Sequence, residues 1–162
     1  MADPLRPVPI QELTSLEQGL HWQVNQMVDG LESIEPVVGQ LHASLQGPVI
    51  AVSGEARTAV TLCCDRCLRP FAHALAFKAE ERIGLGGSAD DIAEALEFDA
   101  EGMAEQLDPQ GSFDPERWIY EQLTLQLPVV NRCGSGCPGP LSWGHGETIT
   151  DPRWAGLKRL QP

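Results

Sequence analysis

The sequence predicts an α+β fold: an antiparallel β-meander or partly open barrel with one or two helices packed on it and a candidate zinc site made of four cysteines. Three observations lead to this prediction. Several short runs alternate apolar and polar residues, as half-buried strands do. An N-cap residue followed by proline indicates a helix at residue 114, and four of the five cysteines fall into two close pairs. At 162 residues the chain can bury a core of its own.

The first 19 residues are expected to form an irregular arm, because prolines stand at positions 4, 7 and 9. A short strand or a turn of helix around residues 9–16 would dock this arm. We expect residues 20–162 to form a single domain.

Short strands are expected from residue 21 onward. The run 21–28 alternates apolar and polar positions, and the segments 39–45 and 48–53 follow it with a Gly-Pro turn between them. Four to five strands at such close spacing predict an antiparallel meander. The lone histidines on these strands are expected to be packed or surface residues rather than ligands.

The stretch 60–75 is expected to form a β-hairpin with Cys64 and Cys67 at its tip. Polar and proline residues at 65–70 end one strand and start the next. Each flanking strand carries its inward-facing residues at alternate positions: Ala56, Thr58, Val60 and Leu62 upstream, then Phe71, His73, Leu75 and Phe77 downstream.

A second cysteine pair lies in the Gly/Pro-rich run 131–140, where two glycines let a short loop curl. A tetrahedral zinc site needs two sulfurs from each of two such arms. The sequence therefore predicts a structural zinc site. An alternative is that the cysteines are small buried hydrophobes or free thiols, or that the first pair does redox work. The candidate ligands are Cys64, Cys67, Cys133 and Cys137.

Cys63 is the fifth cysteine. Its spacing to Cys67 matches that of the second pair, so it could replace Cys64 as a ligand. Because it faces away from Leu62 on the predicted strand, we expect it to be a packing residue instead.

The net charge of −12, from 23 acidic and 11 basic residues, disfavours strong binding to naked RNA, since nucleic-acid binders usually present a basic footprint. The cysteine loops and the tail nevertheless carry arginines. If the two cysteine loops converge, these arginines form a small basic patch that could bind a partner protein or RNA. Otherwise the arginines are ordinary solvated side chains. The candidates are Arg66, Arg69, Arg132 and Arg153.

Residues 84–112 have a different character, with a Gly-rich start and a long acidic run. The carboxylates lack the pattern of a calcium loop, and no Lys-Ser/Thr follows the glycines as in a phosphate loop. We expect an acidic insert of about 84–112 that is a solvated face or a mobile loop.

Regular secondary structure is expected again from Asp114, an N-cap residue followed by Pro115 at the first position of a helix. The helix is expected to run to about Gln126, with Trp118, Ile119, Gln122 and Leu123 on the face that packs on the sheet, and with Pro128 beyond its end. This helix would place the second cysteine loop beside the hairpin tip. A second short helix is expected at 154–160.

No apolar run is long enough for a transmembrane helix, and the first residues have no apolar segment of a signal peptide. We therefore expect a cytoplasmic protein. In a reducing compartment the thiols are metal ligands or free cysteines rather than disulfides.

Four motifs, in order, resemble those of the YceD family, the large ribosomal RNA subunit accumulation proteins. They are Val60–Phe71 with its Cys-x-Arg-Cys-Leu core, Leu125–Val130, the Cys133/Cys137 loop leading into Pro138-Gly139, and Asp151–Leu160. The resemblance spans roughly residues 36–160 and suggests a member of plastid or cyanobacterial type. Many similar proteins continue with further cysteines where this chain has Trp143-Gly144.

The resemblance implies a non-catalytic accessory factor for large-subunit ribosomal RNA processing or accumulation, part of ribosome biogenesis. It would bind an assembly intermediate, a pre-ribosomal large-subunit particle, or a ribosomal protein, whose basic charge would complement this acidic chain. Alternatives are a thiol oxidoreductase using Cys64 and Cys67, or a generic zinc-stabilised protein-binding module. No Gly-x-Ser-x-Gly or His-Glu-x-x-His motif supports hydrolase chemistry.

Overall fold

The computed structural model describes residues 4–16, 18–86 and 106–140, and within these ranges the architecture is α+β, as predicted. In chain order the elements are strand β1 (Val8–Pro9), helix α1 (Ile10–Thr14), strands β2 (Leu20–Gln26), β3 (Val37–Gln46), β4 (Val49–Cys63), β5 (Pro70–Leu85), β6 (Gln106–Leu107) and β7 (Ser112–Phe113), and helix α2 (Pro115–Thr124).

A five-stranded sheet in the order β2-β3-β4-β5-β6 forms the body. Its first four strands are antiparallel neighbours, so the predicted meander is confirmed. The short β6 lies parallel to β5, and the described strands do not close into a barrel. The segments expected as separate strands before residue 63 are one continuous strand, β4, which is 15 residues long.

One face of the sheet is apolar and the other is polar, because side chains alternate along each strand. Five of the eight predicted inward positions are buried: Ala56, Thr58, Val60, Leu75 and Phe77. The three nearest the hairpin tip, Leu62, Phe71 and His73, are only half-buried. The hydroxyl of Thr58 is satisfied by donating to the carbonyl oxygen of Glu35 at 2.8 Å. On the polar face, the rings of His21 and His42 stack at 4.1 Å.

The N-terminal arm is docked on the body by its own short elements. Strand β1 pairs antiparallel with β7, and the N–H of Ile10 donates to the carbonyl of Gly111 at 3.1 Å. Leu5, Ile10 and Leu13 are buried in the main core. The arm therefore contains the short strand and turn of helix that the sequence favours.

Helix α2 packs on the apolar face near β4 and β5 and begins as predicted. The side chain of Asp114 accepts hydrogen bonds from the N–H groups of Glu116 and Arg117, both at 3.1 Å. Trp118 contacts Phe77 edge-on, with ring centroids 5.6 Å apart. The helix ends at Thr124, slightly before the expected residue 126, and its fully packed positions are Trp118, Ile119 and Leu123.

Both ends of the expected acidic insert belong to the sheets. Strand β5 continues to Leu85 because Ile83 and Leu85 are buried, and β6 and β7 lie before Asp114. Strands therefore occupy more of the range 84–112 than its composition indicates. The remainder of the insert, 87–105, and the chain after 140, with the expected helix at 154–160, lie outside the described residues.

Among the described residues, no helix is both long enough and apolar enough to cross a membrane.

The packing of α2 on the sheet can be tested at Leu123, whose side chain is fully buried. We expect Leu123→Ala to lower the free energy of unfolding by about 2 to 5 kcal/mol, because it leaves a cavity in the core. The matched control is Leu125→Ala, two residues on, where the side chain is 73% exposed and the expected change is about 0.5 kcal/mol or less. Urea denaturation of both variants measures the difference; equal losses would contradict the packing described.

Candidate metal centre

The first arm of the centre is the turn that joins β4 to β5. The N–H of Leu68 donates to the carbonyl of Cys64 at 2.8 Å, and the N–H of Cys64 donates to the carbonyl of Arg69 at 2.9 Å. Leu68 takes a left-handed backbone conformation with φ of 60°, which is uncommon for a residue with a side chain. This tight turn buries the side chains of Cys64 and Cys67.

The second arm follows α2 and carries the other cysteine pair. The N–H of Cys137 donates to the carbonyl of Gly134 at 3.2 Å, which closes a second turn. Gly134 has a φ of 109°, a conformation that glycine adopts without a steric penalty. The glycine predicted to let this loop curl therefore does so.

Two hydrogen bonds, both donated by backbone N–H groups, join the two arms. The N–H of Asp65 donates to the carbonyl of Asn131 at 2.9 Å, and the N–H of Asn131 donates to Oδ2 of Asp65 at 2.7 Å. These bonds fix the start of the second arm against the turn of the first. No sequence pattern indicates this link beyond the polar character of the turn.

The four sulfur atoms of Cys64, Cys67, Cys133 and Cys137 all lie within 4.8 Å of one another. The distance is 3.9 Å from Cys64 to Cys137 and 3.7 Å from Cys67 to Cys133. A tetrahedron with Zn–S bonds of about 2.3 Å has sulfur–sulfur edges of about 3.8 Å. The expected convergence of the two pairs is confirmed, and its geometry fits a metal ion with four sulfur ligands in a tetrahedron, which zinc or iron can be.

The surroundings shift the pKa values of two of the four thiols in opposite directions. Backbone N–H groups of Cys67, Arg66 and Cys133 hydrogen-bond to the sulfur of Cys64 and lower its pKa to about 6. Burial, together with the neighbouring thiols, raises the pKa of Cys133 to about 12. Four thiolates this close repel one another, so a divalent cation is what allows all four to deprotonate.

Cys63 does not belong to the cluster, and the expectation that it packs is wrong. It is exposed. It lies at the last position of β4, opposite Pro70, and its side chain is on the face opposite that of Leu62. Alternation along the strand placed the side chain on that face correctly; no described residue covers it there.

The predicted arginines are brought together only in part. Arg66 and Arg132 line one hollow between the arms, and the Arg66 guanidinium lies against Gly139. Arg69 is exposed beside them on the first turn, outside the residues that line the hollow. Arg153 lies outside the described residues.

The arrangement does not favour thiol–disulfide exchange. A reactive Cys-x-x-Cys usually starts a helix, whereas Cys64 and Cys67 lie in a hairpin turn and neither described helix begins near them. Their side chains are 0% and 3% exposed, so an attacking disulfide has little access to the sulfur with the lowered pKa.

The metal hypothesis is tested by Cys67→Ser and Cys137→Ser. Each removes one sulfur from the cluster, so we expect metal content to fall and the free energy of unfolding to drop by more than about 2 kcal/mol. Elemental analysis and thermal denaturation measure both. Cys63→Ser is the matched control and is expected to change neither. A wild type that contains no metal and keeps its stability after chelator treatment would refute the hypothesis.

The link between the arms is tested at Asp65. Asp65→Ala removes the carboxylate that holds the Asn131 N–H, and because supports of ligands tune metal binding, we expect about tenfold weaker affinity in competition with a chromogenic chelator. Asp65→Asn keeps a side-chain oxygen as acceptor and is expected to lose much less. Equal affinities for the wild type and Asp65→Ala would show that the link does not position the ligands.

Neither a search of the curated proteins nor a search of the solved structures finds a significant match. The family model described as "Large ribosomal RNA subunit accumulation protein YceD" matches residues 52–161, from within β4 through the cysteine loop. Because that range is well over half of the chain, the protein belongs to the YceD family.

Proposed function

We propose that this protein is a non-catalytic accessory factor of ribosome biogenesis that supports the accumulation of large-subunit ribosomal RNA. The observation that carries the proposal is the family match, which includes the central hairpin and both cysteine arms. Its mode of action is binding to an assembly intermediate, either to the pre-ribosomal large-subunit particle or to a basic ribosomal protein. We expect the protein to act in the cytoplasm; its resemblance to members of plastid or cyanobacterial type stays a prediction.

An acidic loop between β2 and β3 supports the ribosomal-protein mode. Asp29, Glu32 and Glu35 are exposed there, and the sequence 27–36 contains no basic residue. Exposed apolar side chains accompany the acids, with Met27 at 52% and Ile34 at 57% exposure. Negative charge steers a basic partner and apolar area holds it, so this surface, residues 27–35, suits a ribosomal protein.

Zinc in this proposal is structural. It would be held by Cys64, Cys67, Cys133 and Cys137 and would tie the loop after α2 to the hairpin tip. A closed set of four sulfurs leaves no open position for a substrate, which agrees with a binding role rather than catalysis.

The test is depletion of the protein in its own cells, with mature and precursor ribosomal RNAs resolved. We expect a selective fall of the mature large-subunit RNA relative to the small-subunit RNA, since only large-subunit assembly loses its factor. Re-expression of the wild type is expected to restore the ratio, and Glu32→Lys/Glu35→Lys to restore it poorly. An unchanged ratio under full depletion would contradict the function and leave a zinc-stabilised acidic binding module.

A further inference from the structure

A hollow lies between the two cysteine arms, on the side of the Asp65–Asn131 link. Its volume is about 360 Å³, and residues of both arms line it: Asp65, Arg66, Val130, Asn131, Arg132 and Pro140. Arg66 and Arg132 are far apart in sequence and face one space only because the arms are joined. Pockets of this size accept small ligands or single residues of a polymer.

The side chains that line the hollow include two arginines and one acid, a net positive lining, although the chain as a whole is acidic. Arg66 and Arg132 are exposed, and the ion pair found among the described residues, Arg117 with Glu121, lies elsewhere. Asp65 is the one acid in the lining, and its Oδ2 already accepts the Asn131 N–H. Cys64 and Cys67 are buried and are not among the residues that line the hollow.

The other walls of the hollow are suited to a nucleotide. Val130, which is 54% exposed, and Pro140 offer apolar surface for a base or sugar, and the Asn131 side chain can donate and accept hydrogen bonds. A guanidinium matches phosphate oxygens with two parallel hydrogen bonds and also stacks on bases. Two guanidiniums beside apolar walls therefore favour a phosphodiester over a carboxylate side chain.

We propose that this hollow binds single-stranded RNA, with Arg66 and Arg132 holding a backbone phosphate and a base lying against Val130 and Pro140. That this RNA is the large-subunit ribosomal RNA rests on the proposed function. Arg69, three residues from Arg66, supplies a cation for a flanking phosphate. With so few phosphate contacts on a chain of charge −12, the binding is modest and sensitive to salt.

The direct test is fluorescence anisotropy with a labelled single-stranded oligouridylate and with large-subunit RNA fragments, using full-length protein loaded with zinc. We expect saturable binding by the wild type, with log affinity falling against log salt by about 0.7 per phosphate contacted. Arg66→Ala/Arg132→Ala is expected to bind at least about tenfold more weakly and with a shallower salt dependence, because a phosphate contact is gone.

The matched control is Arg57→Ala/Arg82→Ala, which removes the same charge from exposed positions on β4 and β5 and is expected to bind within about twofold of the wild type if the site is local. Metal content and melting temperature verify that both variants fold. Absence of saturable binding by the wild type, equal losses in the two double variants, or equal competition by polyglutamate would each overturn the proposal.

The outcome in cells separates this inference from the proposed function. If depletion lowers the large-subunit RNA and Arg66→Ala/Arg132→Ala restores it as fully as the wild type, the RNA hollow is overturned and the function stands. If the ratio is unchanged under depletion while the purified protein shows the expected arginine-dependent binding, the function fails and the hollow stands.

Discussion

The pairing of β4 with β5 is the constraint on which the other features depend. Fifteen consecutive residue pairs, from Val49 with Gly84 to Cys63 with Pro70, hold the two strands in one register. A slip of one residue would turn every inward side chain of one strand to the opposite face. It would also misplace the turn that carries Cys64 and Cys67. The core and the candidate metal centre therefore both depend on the register of β4 against β5.

Helix α2 depends on the same hairpin and in turn delivers the second arm. Its Trp118 donates to Glu81 of β5 at 2.6 Å and packs on Phe77 of the same strand. The chain then reaches Asn131 soon after the helix ends, where the link to Asp65 begins. A shift of the helix along the sheet would therefore also move Cys133 and Cys137. The distances among the four sulfur atoms depend on the position of the helix as well as on the two turns.

Much of this arrangement follows from local sequence patterns. Alternation predicts the buried face of β4, and Asp114 with Pro115 predicts the start of α2, because both signals act over a few residues. The convergence of the cysteine pairs is predicted from the ligand chemistry of the two pairs and from the helix that leads into the second loop. Exposure of Cys63 was missed, because alternation tells which face a residue occupies and not whether another element covers that face. The Asp65–Asn131 link and the hollow depend on tertiary placement, which no local pattern encodes.

The cysteine cluster also has a consequence for the topology of the unfolded chain. A metal ion held by both arms would act as a cross-link, closing a loop of 66 residues between Cys67 and Cys133. The entropy cost of closing a flexible loop grows only with the logarithm of its length, by about 0.6 kcal/mol for each doubling. Residues 87–105 lie inside that loop. A change in the length of this loop would therefore alter the contribution of the cross-link to the free energy of unfolding only slightly.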